Sequence, residues 1–418
     1  MNATASNPAA PAQQTNFLAP LKVRNFRLLW TGETVSVLGD QFYMVALPWL
    51  VLQLSESGLL LGTVMMAAAI PRAGLMLAGG VATDRFTSRS VMLASNVGRC
   101  AIVATMTLLV YAKVMRLWHL YFLAGAFGVF DAFFYPAYIS ILPSLLEAEQ
   151  LPAGNSLMQG TVQLTGLIGP ATAGVIVGTA GIAAALGLDA ASFLMSIAML
   201  ALMSVKRAAG PPRQAGMWHS IQEGVAYAVG QPVIQSMLLG YAVMSLFLTG
   251  PFLIGAPLLA KLRFGRAAAL GLLYSSFGAG ALAGTIAAGH DQRNRRLGPL
   301  LLTVYAGAGI TMIALGLIWK LYLSASLLLL LGLVIGFSNI KILAYLQRRT
   351  QPDKIGRVMS LIMLCAQGLL PLSFVLAGAV SKIGVAVLFV GSGVTVILFA
   401  LILFRGAELW APSEVATT

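Results

Sequence analysis

The chain has 418 residues, of which 58% are hydrophobic and only 9% are charged, with a formal net charge of +13 and a mean hydropathy of +0.87. This composition excludes a soluble globular domain, and separated apolar runs of about 20 residues predict a helical protein with many membrane spans. The basic residues lie in short loops between these runs, so they indicate topology and no nucleic-acid partner is expected. Cys100 and Cys365 both lie in apolar runs, and His119, His219 and His290 lack ligand spacing, so neither a disulfide nor a metal site is predicted.

The apolar runs divide the chain into two halves. Residues 1–24 form a polar tail, which we predict to be disordered and cytoplasmic. Six spans in residues 25–205 form the N-terminal half, and a cytoplasmic linker with an amphipathic surface helix follows in residues 206–231. Six more spans in residues 232–405 form the C-terminal half, before a cytoplasmic tail in residues 406–418. The predicted spans cover residues 26–54, 58–81, 90–113, 118–142, 155–180, 184–204, 232–260, 267–288, 298–319, 322–346, 357–380 and 383–404.

Basic residues indicate which loops face the cytoplasm, because cytoplasmic loops carry an excess of lysine and arginine. With both termini inside, the inner segments hold the larger basic set. Members of this set include Arg24, Arg89, Arg207, Arg296 and Arg349, whereas the outer loops hold Lys113, Arg116, Lys261, Arg263, Arg266, Lys320 and Lys382. The sequence therefore predicts a multi-pass protein of the cytoplasmic (inner) membrane, in contact with the lipid bilayer, with both termini cytoplasmic. We expect it to be a monomer.

The two halves repeat each other in sequence. Gly284 and Gln367 follow Gly80 and Gln163 at the same offset of 204 residues. Since each half has six spans, equivalent helices run in the same direction, so the repeat is parallel. The predicted fold class is an all-α membrane protein with twelve transmembrane helices in two parallel six-helix halves around a central cavity.

One polar stretch, residues 80–89, interrupts the apolar sequence between the second and third spans. Gly80 allows two helices to approach closely, and Asp84 and Arg85 begin a tight charged reversal at the membrane surface. An acid at this position accepts hydrogen bonds from a neighbouring helix or pairs with a basic residue. We interpret Gly80, Asp84, Arg85 and Arg89 as a conformational latch that is made and broken. The alternative is a charged loop that only indicates the cytoplasmic side.

This stretch is similar to the signature Gly-x-x-x-Asp-Arg-x-Gly-Arg of the major facilitator superfamily. The matching residues are Gly80, Asp84, Arg85 and Arg89, whereas Thr87 replaces the second glycine and Ser88 replaces a basic residue. The segments 25–30, 39–40 and 46–48 resemble the branch that holds macrolide and siderophore exporters. The resemblance implies the major facilitator fold and transport by alternating access.

The fifth span strengthens the resemblance. Gly169, Pro170, Ala173 and Gly174 are similar to the Gly-Pro-x-x-Gly-Gly signature of proton-antiporting drug exporters, with Ala173 in place of one glycine. Small residues spaced four apart share one helix face, where another helix packs closely, and these are Gly166, Pro170, Gly174 and Gly178. Simple small-residue packing is the alternative. The fourth span departs from the family, because it lacks the arginine that many of these antiporters carry.

Ionisable residues within membrane spans are costly and are therefore candidates for function. Asp40, Arg72 and Asp131 are expected at comparable depth in the first half. Our hypothesis is that Asp131 binds and releases the transported proton, with Asp40 as a second carboxylate or a contact for a cationic substrate and Arg72 as the counter-charge. The alternative for Asp40 and Arg72 is a static ion pair that fixes helix register.

The remaining polar and aromatic residues receive weaker assignments. We expect Asp189 to cap or tie the sixth helix near the outer side, and Glu33, Arg99 and Lys341 to extend to the membrane surface. Core or lipid-facing packing is the alternative for the residues that we expect to line the cavity. These are Gln159, Gln163, Gln367, Tyr43, Phe134 and Tyr135.

These observations predict a secondary active transporter. It would export a small amphipathic compound, a drug or a siderophore, in exchange for protons. A facilitator, an importer or a lysophospholipid transporter on the same fold is the alternative, and a non-transporting membrane sensor is a further one. The chain has no Walker loop and no catalytic constellation, so neither an enzyme nor a cofactor is predicted.

Overall fold

The structure, a computed structural model, describes residues 17–204, 230–291, 297–350 and 354–404. Within these ranges, twelve helices are long and apolar enough to cross a membrane, so the predicted number of spans is confirmed. Residues 1–16 of the predicted N-terminal tail, the predicted C-terminal tail, the linker helix and the basic residues at 293–296 lie outside the described residues. The last residues of the predicted disordered tail are ordered, since Ala19–Lys22 form a short 3-10 helix that leads into the first long helix at Arg24.

Six helices form each half of the bundle. The N-terminal half contains α1 (Arg24–Ser55), α2 (Gly58–Arg85), α3 (Ser88–Tyr111), α4 (Leu117–Ile141), α5 (Leu151–Thr179) and α6 (Ile182–Leu202). The C-terminal half contains α7 (residues 232–262), α8 (Ala267–His290), α9 (Leu297–Leu317), α10 (Leu321–Arg349), α11 (residues 355–381) and α12 (Val385–Phe404). The ends lie within a few residues of the predicted spans.

Two of the twelve helices are irregular. In α7, a π-helical turn at Ser245–Thr249 separates the α-helical segments Pro232–Met244 and Gly250–Leu262. In α11, the segments Ile355–Gly368 and Leu370–Ser381 meet at Leu369, just before Pro371, which cannot donate a backbone hydrogen bond. The two irregular turns bond to each other, because Ser245 Oγ donates to the Ala366 carbonyl and Ser373 Oγ donates to the carbonyls of Ser245 and Leu246.

Helix pairing repeats between the halves. In the N-terminal half α2 packs on α4, α3 packs on both α4 and α6, and α1 packs on α5 and α6. The C-terminal half repeats these pairs with α8 on α10, α9 on α10 and α12, and α7 on α11 and α12. The same packing scheme, shifted by six helices, is what the parallel sequence repeat predicts.

The helices alternate in direction, so their ends lie at two faces of the bundle. The closed face carries the loops at residues 56–57, 112–116, 180–181, 263–266, 318–320 and 382–384, and the open face carries the opposite helix ends. At the closed face, α2 packs on α11 and α5 packs on α8 with little space between backbones. A Cβ added at Gly378 would lie 2.7 Å from the Gly58 carbonyl oxygen, and one added at Gly174 would lie 3.0 Å from the Gly271 Cα.

The two halves diverge toward the open face. A Cβ added at Gly74 or Gly80 in α2, at Gly160 in α5 or at Gly356 in α11 would meet nothing within 4 Å. The same helices that touch at the closed face therefore have free space along their other ends. The cleft between the halves narrows to a seal at the closed face.

Candidate transport site

The N-terminal half contains an ion-pair cluster built on Asp131 of α4. Arg72 Nε of α2 lies 3.0 Å from Asp131 Oδ2, and Arg99 Nη1 of α3 lies 3.5 Å from Asp131 Oδ1. The Arg72 side chain is 42% exposed and that of Asp131 16%, whereas Arg99 is only 2% exposed. One carboxylate thus has a partner on each side, and one of these partners faces open space.

Hydrogen bonds continue from Arg99 into the bundle. Arg99 Nη2 donates to Asn96 Oδ1, and Asn96 Nδ2 donates to Ser196 Oγ of α6 at 2.9 Å. Ser196 Oγ then donates to Glu33 Oε1 of α1 at 3.2 Å. These side chains and the ion-pair cluster form one polar network across five helices, with its exposed end at Arg72. Its members are Glu33, Ser196, Asn96, Arg99, Asp131 and Arg72.

Aromatic rings cover the central arginine of this network. The Arg99 guanidinium lies 3.9 Å from the ring centroid of Phe134 and 4.8 Å from that of Phe193. Such stacking suits a planar, weakly hydrated guanidinium and holds it away from water.

The expectation that Glu33 and Arg99 extend to the membrane surface is wrong. Both are 2% exposed, because α3 and α1 turn these side chains toward the packed interior of the half. Arg99 also supplies to Asp131 the arginine that α4 itself lacks. A sequence signal for this existed: Asn96 and Arg99 are three residues apart, which places two strong polar groups on one face of an apolar helix.

Two further carboxylates lie beside the polar network. The Asp40 carboxylate is within electrostatic reach of Arg99, Asp131 and Arg72, although it makes no ion pair within 4 Å in the described part of the chain. Asp189 of α6 is fully buried, and neither of its carboxyl oxygens has a hydrogen-bond partner among the described residues.

Asp189 does not cap α6, contrary to expectation. It lies on the second turn and packs against α1, where a Cβ added at Gly39 would lie 2.7 Å from Asp189 Oδ1 and would overlap the Ser192 hydroxyl. The small residue in α1 therefore allows a close seam with α6, and this seam encloses the carboxyl group.

Lys341 differs from Glu33 and Arg99 in lying at the end of the bundle, where it forms an ion pair. Its Nζ lies 3.7 Å from Asp291 Oδ2, with 13% of the lysine side chain exposed. This pair ties α10 to the end of α8, so the structural interpretation of Lys341 agrees with its geometry.

A central cavity of about 560 Å³ lies between the halves. Most of its wall comes from α7, α8, α9 and α10, and the N-terminal half contributes α1 and α5. Gln163 lines the cavity as predicted, and its Nε2 donates to Thr285 Oγ1 of α8 at 3.4 Å, across the interface between the halves.

The other predicted lining residues lie elsewhere. Gln159, Gln367, Tyr43, Phe134 and Tyr135 are not among the residues that line the cavity. Tyr43 stacks on Phe127 within the N-terminal half, at 4.6 Å between ring centroids, and Phe134 covers Arg99. The prediction failed because depth in the membrane can be judged from sequence, whereas the rotation of each helix cannot.

The polar stretch at residues 80–89 joins helices of the N-terminal half. Thr87 Oγ1 accepts a hydrogen bond from the Ser90 N–H at 3.2 Å and caps the start of α3. Arg89 donates to the carbonyls of Leu200 and Ala201 at 2.7 and 2.9 Å, and so binds the last turn of α6. Arg85 ends α2 and is exposed.

Close packing of α2 on α4 depends on Gly79, and not on Gly80 as the sequence predicts. A Cβ added at Gly79 would overlap the Ala132 carbonyl oxygen of α4, whereas one added at Gly80 would meet nothing within 4 Å. Consecutive residues on a helix point about 100° apart, so Gly80 faces the free space beside α2 at the open face.

The small-residue motif of α5 forms part of the seal between the halves. The Ala171 N–H donates to Ser275 Oγ of α8 at 2.8 Å, next to Pro170. Gly169 makes room for the side chain of Gln41, since an added Cβ would lie 2.5 Å from Gln41 Cγ. The motif thus positions both α8 and a polar group of the cavity wall.

A family model described as transmembrane secretion effector, of the major facilitator type, matches residues 15–413. The chain belongs to this family. The resemblance to the major facilitator superfamily is therefore confirmed, and the protein is a multi-pass membrane transporter and not an enzyme.

The relatives of this chain include exporters. The enterobactin exporter EntS of Citrobacter koseri is 26% identical over 348 residues, which are 80% of each chain. The multidrug efflux pump Tap of Mycolicibacterium fortuitum is 26% identical over 353 residues, which are 81% of this chain and 85% of Tap.

Solved structures share the fold. A bacterial homologue of the lysosomal transporter Spinster, in an inward-facing and unoccupied conformation, has a TM-score of 0.66 at 12% identity, covering 94% of this chain and 100% of that one. The nucleoside transporter NupG has a TM-score of 0.70 at 14% identity, covering 93% of this chain and 100% of that one.

Proposed function

We propose that this chain exports a small amphipathic compound from the cytoplasm in exchange for protons, by alternating access. The observation that carries the proposal is Asp131, a partly exposed carboxylate within a membrane span that is held between Arg72 and Arg99. Ionisable groups at such depth are retained for function more often than for stability. EntS and Tap are described as exporters, which supports the direction.

Protonation of Asp131 changes the forces within the polar network. The ionised carboxylate attracts both guanidinium groups, and the neutral acid loses most of this attraction. Arg72 is the more exposed partner, so it is the one that is free to move away. Its helix, α2, packs on α11 of the other half, and a change in its position alters the interface between the halves.

Helix α1 connects the proton site with the cavity. Gln41 lines the cavity, while the adjacent Asp40 is within electrostatic reach of Asp131 and Arg99. Consecutive residues on a helix differ by about 100° in direction, so a single helix presents one group to each site. A substrate that shifts α1 therefore alters the surroundings of the proton-binding carboxylate.

We place the open face in the cytoplasm, in the inner membrane, with both termini on that side. In the other state the halves would meet at the open face and separate at the closed face. Gly80, Asp84, Arg85 and Arg89 are the proposed latch for that state, and the free space beside Gly80 is where a helix of the other half would pack.

Inside-out membrane vesicles with an acidic interior test the proposal. Cationic dyes, macrolides, siderophores and uncharged aromatic amphiphiles are added in turn, and proton release is recorded with a pH-sensitive fluorophore. Asp131→Asn is compared with Glu149→Gln, which removes an exposed carboxylate from the loop before α5. We expect substrate-dependent proton release from the wild type and Glu149→Gln, and at least about tenfold less from Asp131→Asn.

Other outcomes identify what has failed. Full proton release by Asp131→Asn would show that another residue binds the proton, and Asp40 would be the next candidate. Transport of a labelled compound without any proton release would make the protein a facilitator, and binding without transport would make it a sensor.

A further inference from the structure

The described residues that line the central cavity carry no charged side chain. Among the described residues that line it, none is Asp, Glu, Lys, Arg or His. Its polar side chains are amides, hydroxyls and phenols, and the rest of the wall is aliphatic, aromatic or methionine. A cavity of about 560 Å³ is in the range that encloses drug-sized ligands.

Two hydroxyl groups of one cavity wall are already hydrogen-bonded within the protein. Ser245 Oγ donates to the Ala366 carbonyl at 3.0 Å, and Thr249 Oγ1 donates to the Met244 carbonyl at 3.3 Å. Both belong to the π-helical turn of α7, whose irregular backbone needs these bonds. These two hydroxyls therefore have no free proton to donate to a ligand.

Two amides remain available to a ligand. Gln41 Oε1 of α1 is buried and has no hydrogen-bond partner in the described part of the chain. Asn339 of α10 lines the cavity from the other half, and its side chain makes no hydrogen bond with the described residues. Buried polar groups normally have partners, so the unpaired Gln41 Oε1 indicates a position for a ligand atom, whereas Asn339 is exposed and offers its amide to the open cavity. A carboxamide both donates and accepts, which suits carbonyl and hydroxyl groups without charge.

Three packed rings form one wall of the cavity. Phe252 of α7 lies 5.4 Å from Tyr274 and 5.6 Å from Phe277 of α8, measured between ring centroids. All three line the cavity. This arrangement presents a continuous aromatic surface, which favours a flat, apolar ligand group.

The charged groups of the N-terminal half do not compensate for a charged ligand in this cavity. Arg72 and Asp131 are bound to each other, and neither they nor Asp40 are among its lining residues. Moving a charge from water into such a site without a partner is strongly unfavourable. The cavity therefore disfavours ligands with a net charge of either sign.

We infer that the central cavity selects uncharged, aromatic amphiphiles with carbonyl or hydroxyl groups and rejects charged compounds of the same size. The inference rests on the proposed function only in treating this cavity as the place where the exported compound binds. It removes the role of Asp40 as a contact for a cationic substrate, and it excludes anionic siderophores as preferred ligands.

Three probes on one fluorophore test the inference. They are an uncharged diethylaminocoumarin carboxamide, the corresponding carboxylate, and the amide that carries a trimethylammonium group. Binding to the full chain is measured in lipid nanodiscs, with the signal of empty nanodiscs subtracted. We expect the uncharged probe to have a Kd at least about tenfold lower than either charged probe.

Two variants with one added carboxylate locate the selectivity. Asn339→Asp places the carboxylate in the cavity, whereas Gln347→Glu places it on an exposed part of the same helix, outside the cavity. We expect Asn339→Asp to bind the cationic probe at least about tenfold more tightly than the wild type does, and Gln347→Glu to leave the order of the probes unchanged. Asn339→Leu should weaken the uncharged probe severalfold without favouring a charged one.

The outcomes separate this inference from the proposed proton exchange. A charged probe that binds the wild type as tightly as the uncharged probe overturns the inference, as does the absence of saturable binding of the uncharged probe. Equal gains in Asn339→Asp and Gln347→Glu also overturn it, because the effect would then arise from surface charge. If the expected order is found while vesicle uptake of the uncharged probe ignores the pH gradient, the inference holds and the proton exchange fails.

Discussion

Gly174 of α5 and Gly271 of α8 join the two halves with no side chain between them. A Cβ added at Gly174 would lie 3.0 Å from the Gly271 Cα, and one added at Gly271 would lie 3.1 Å from the Gly174 Cα. Close backbone approach of this kind is what small residues allow in membrane helices. The seal at the closed face therefore requires glycine, which has no side chain, at both positions.

Gly174→Val should open this seal. Its new side chain would displace α8, and overpacking of this size typically costs about 1–3 kcal/mol. We expect the population to shift toward the state with a separated closed face, by roughly 5- to 150-fold. Spin labels at positions 56 and 382, in a background with Cys100 and Cys365 replaced by serine, would report a longer distance by pulsed electron resonance.

Gly178→Val is the matched control for this measurement. Gly178 lies one turn further along α5, and a Cβ there would meet nothing within 4 Å. It adds the same branched side chain to the same helix without contact with α8. A distance change of equal size in both variants would mean that the effect comes from the helix and not from the seal.

Asp131 should stabilise the N-terminal half through Arg99. Asp131→Leu leaves a buried guanidinium without its carboxylate, and breaking a buried pair in this way typically costs about 3–5 kcal/mol. The double variant Arg99→Met/Asp131→Leu removes both charges, so we expect it to recover more than half of this loss. Thermal unfolding in detergent provides the measurement, and a double variant no more stable than Asp131→Leu would contradict the pairing.

Asp189 should contribute little to stability, although it is fully buried. Neither carboxyl oxygen has a hydrogen-bond partner within the described residues, so Asp189→Asn removes no bond and keeps the size of the group. We expect its unfolding free energy to stay within about 1 kcal/mol of the wild type, or to rise, because an amide costs less to bury than a carboxylate. A loss of about 3 kcal/mol or more, as expected for Asp131→Leu, would show that the carboxyl group has a stabilising partner.

The fold was predictable from the sequence because lipid imposes a simple requirement. Each span must satisfy its own backbone hydrogen bonds, so long apolar runs separated by polar residues predict helices and their ends. Helix rotation has no such signal. The sequence predicts that Arg99 extends to the membrane surface, but its side chain is buried under Phe134 and Phe193. It also predicts that Tyr43 and Phe134 line the cavity, whereas both pack within the N-terminal half. The cavity lies mainly in the C-terminal half, and none of its described lining residues is charged, so the rule that ionisable residues in spans indicate function does not locate it.

Gly79 and Gly80 give the sharpest test of the proposed alternation. Gly79→Val would insert a side chain against the Ala132 carbonyl of α4 and should destabilise the N-terminal half by about 1–3 kcal/mol. A Cβ added at Gly80 would meet nothing within 4 Å. We therefore expect the unfolding free energy of Gly80→Val in the state described here to stay within about 0.5 kcal/mol of the wild type, beyond the small gain from the higher helix propensity of valine over glycine. If Gly80 packs against the other half when the open face closes, Gly80→Val should nevertheless reduce transport at least about tenfold. Thermal unfolding and vesicle transport, measured on both variants, separate these effects. Normal transport by a stable Gly80→Val protein would show that no helix packs at this position during the cycle.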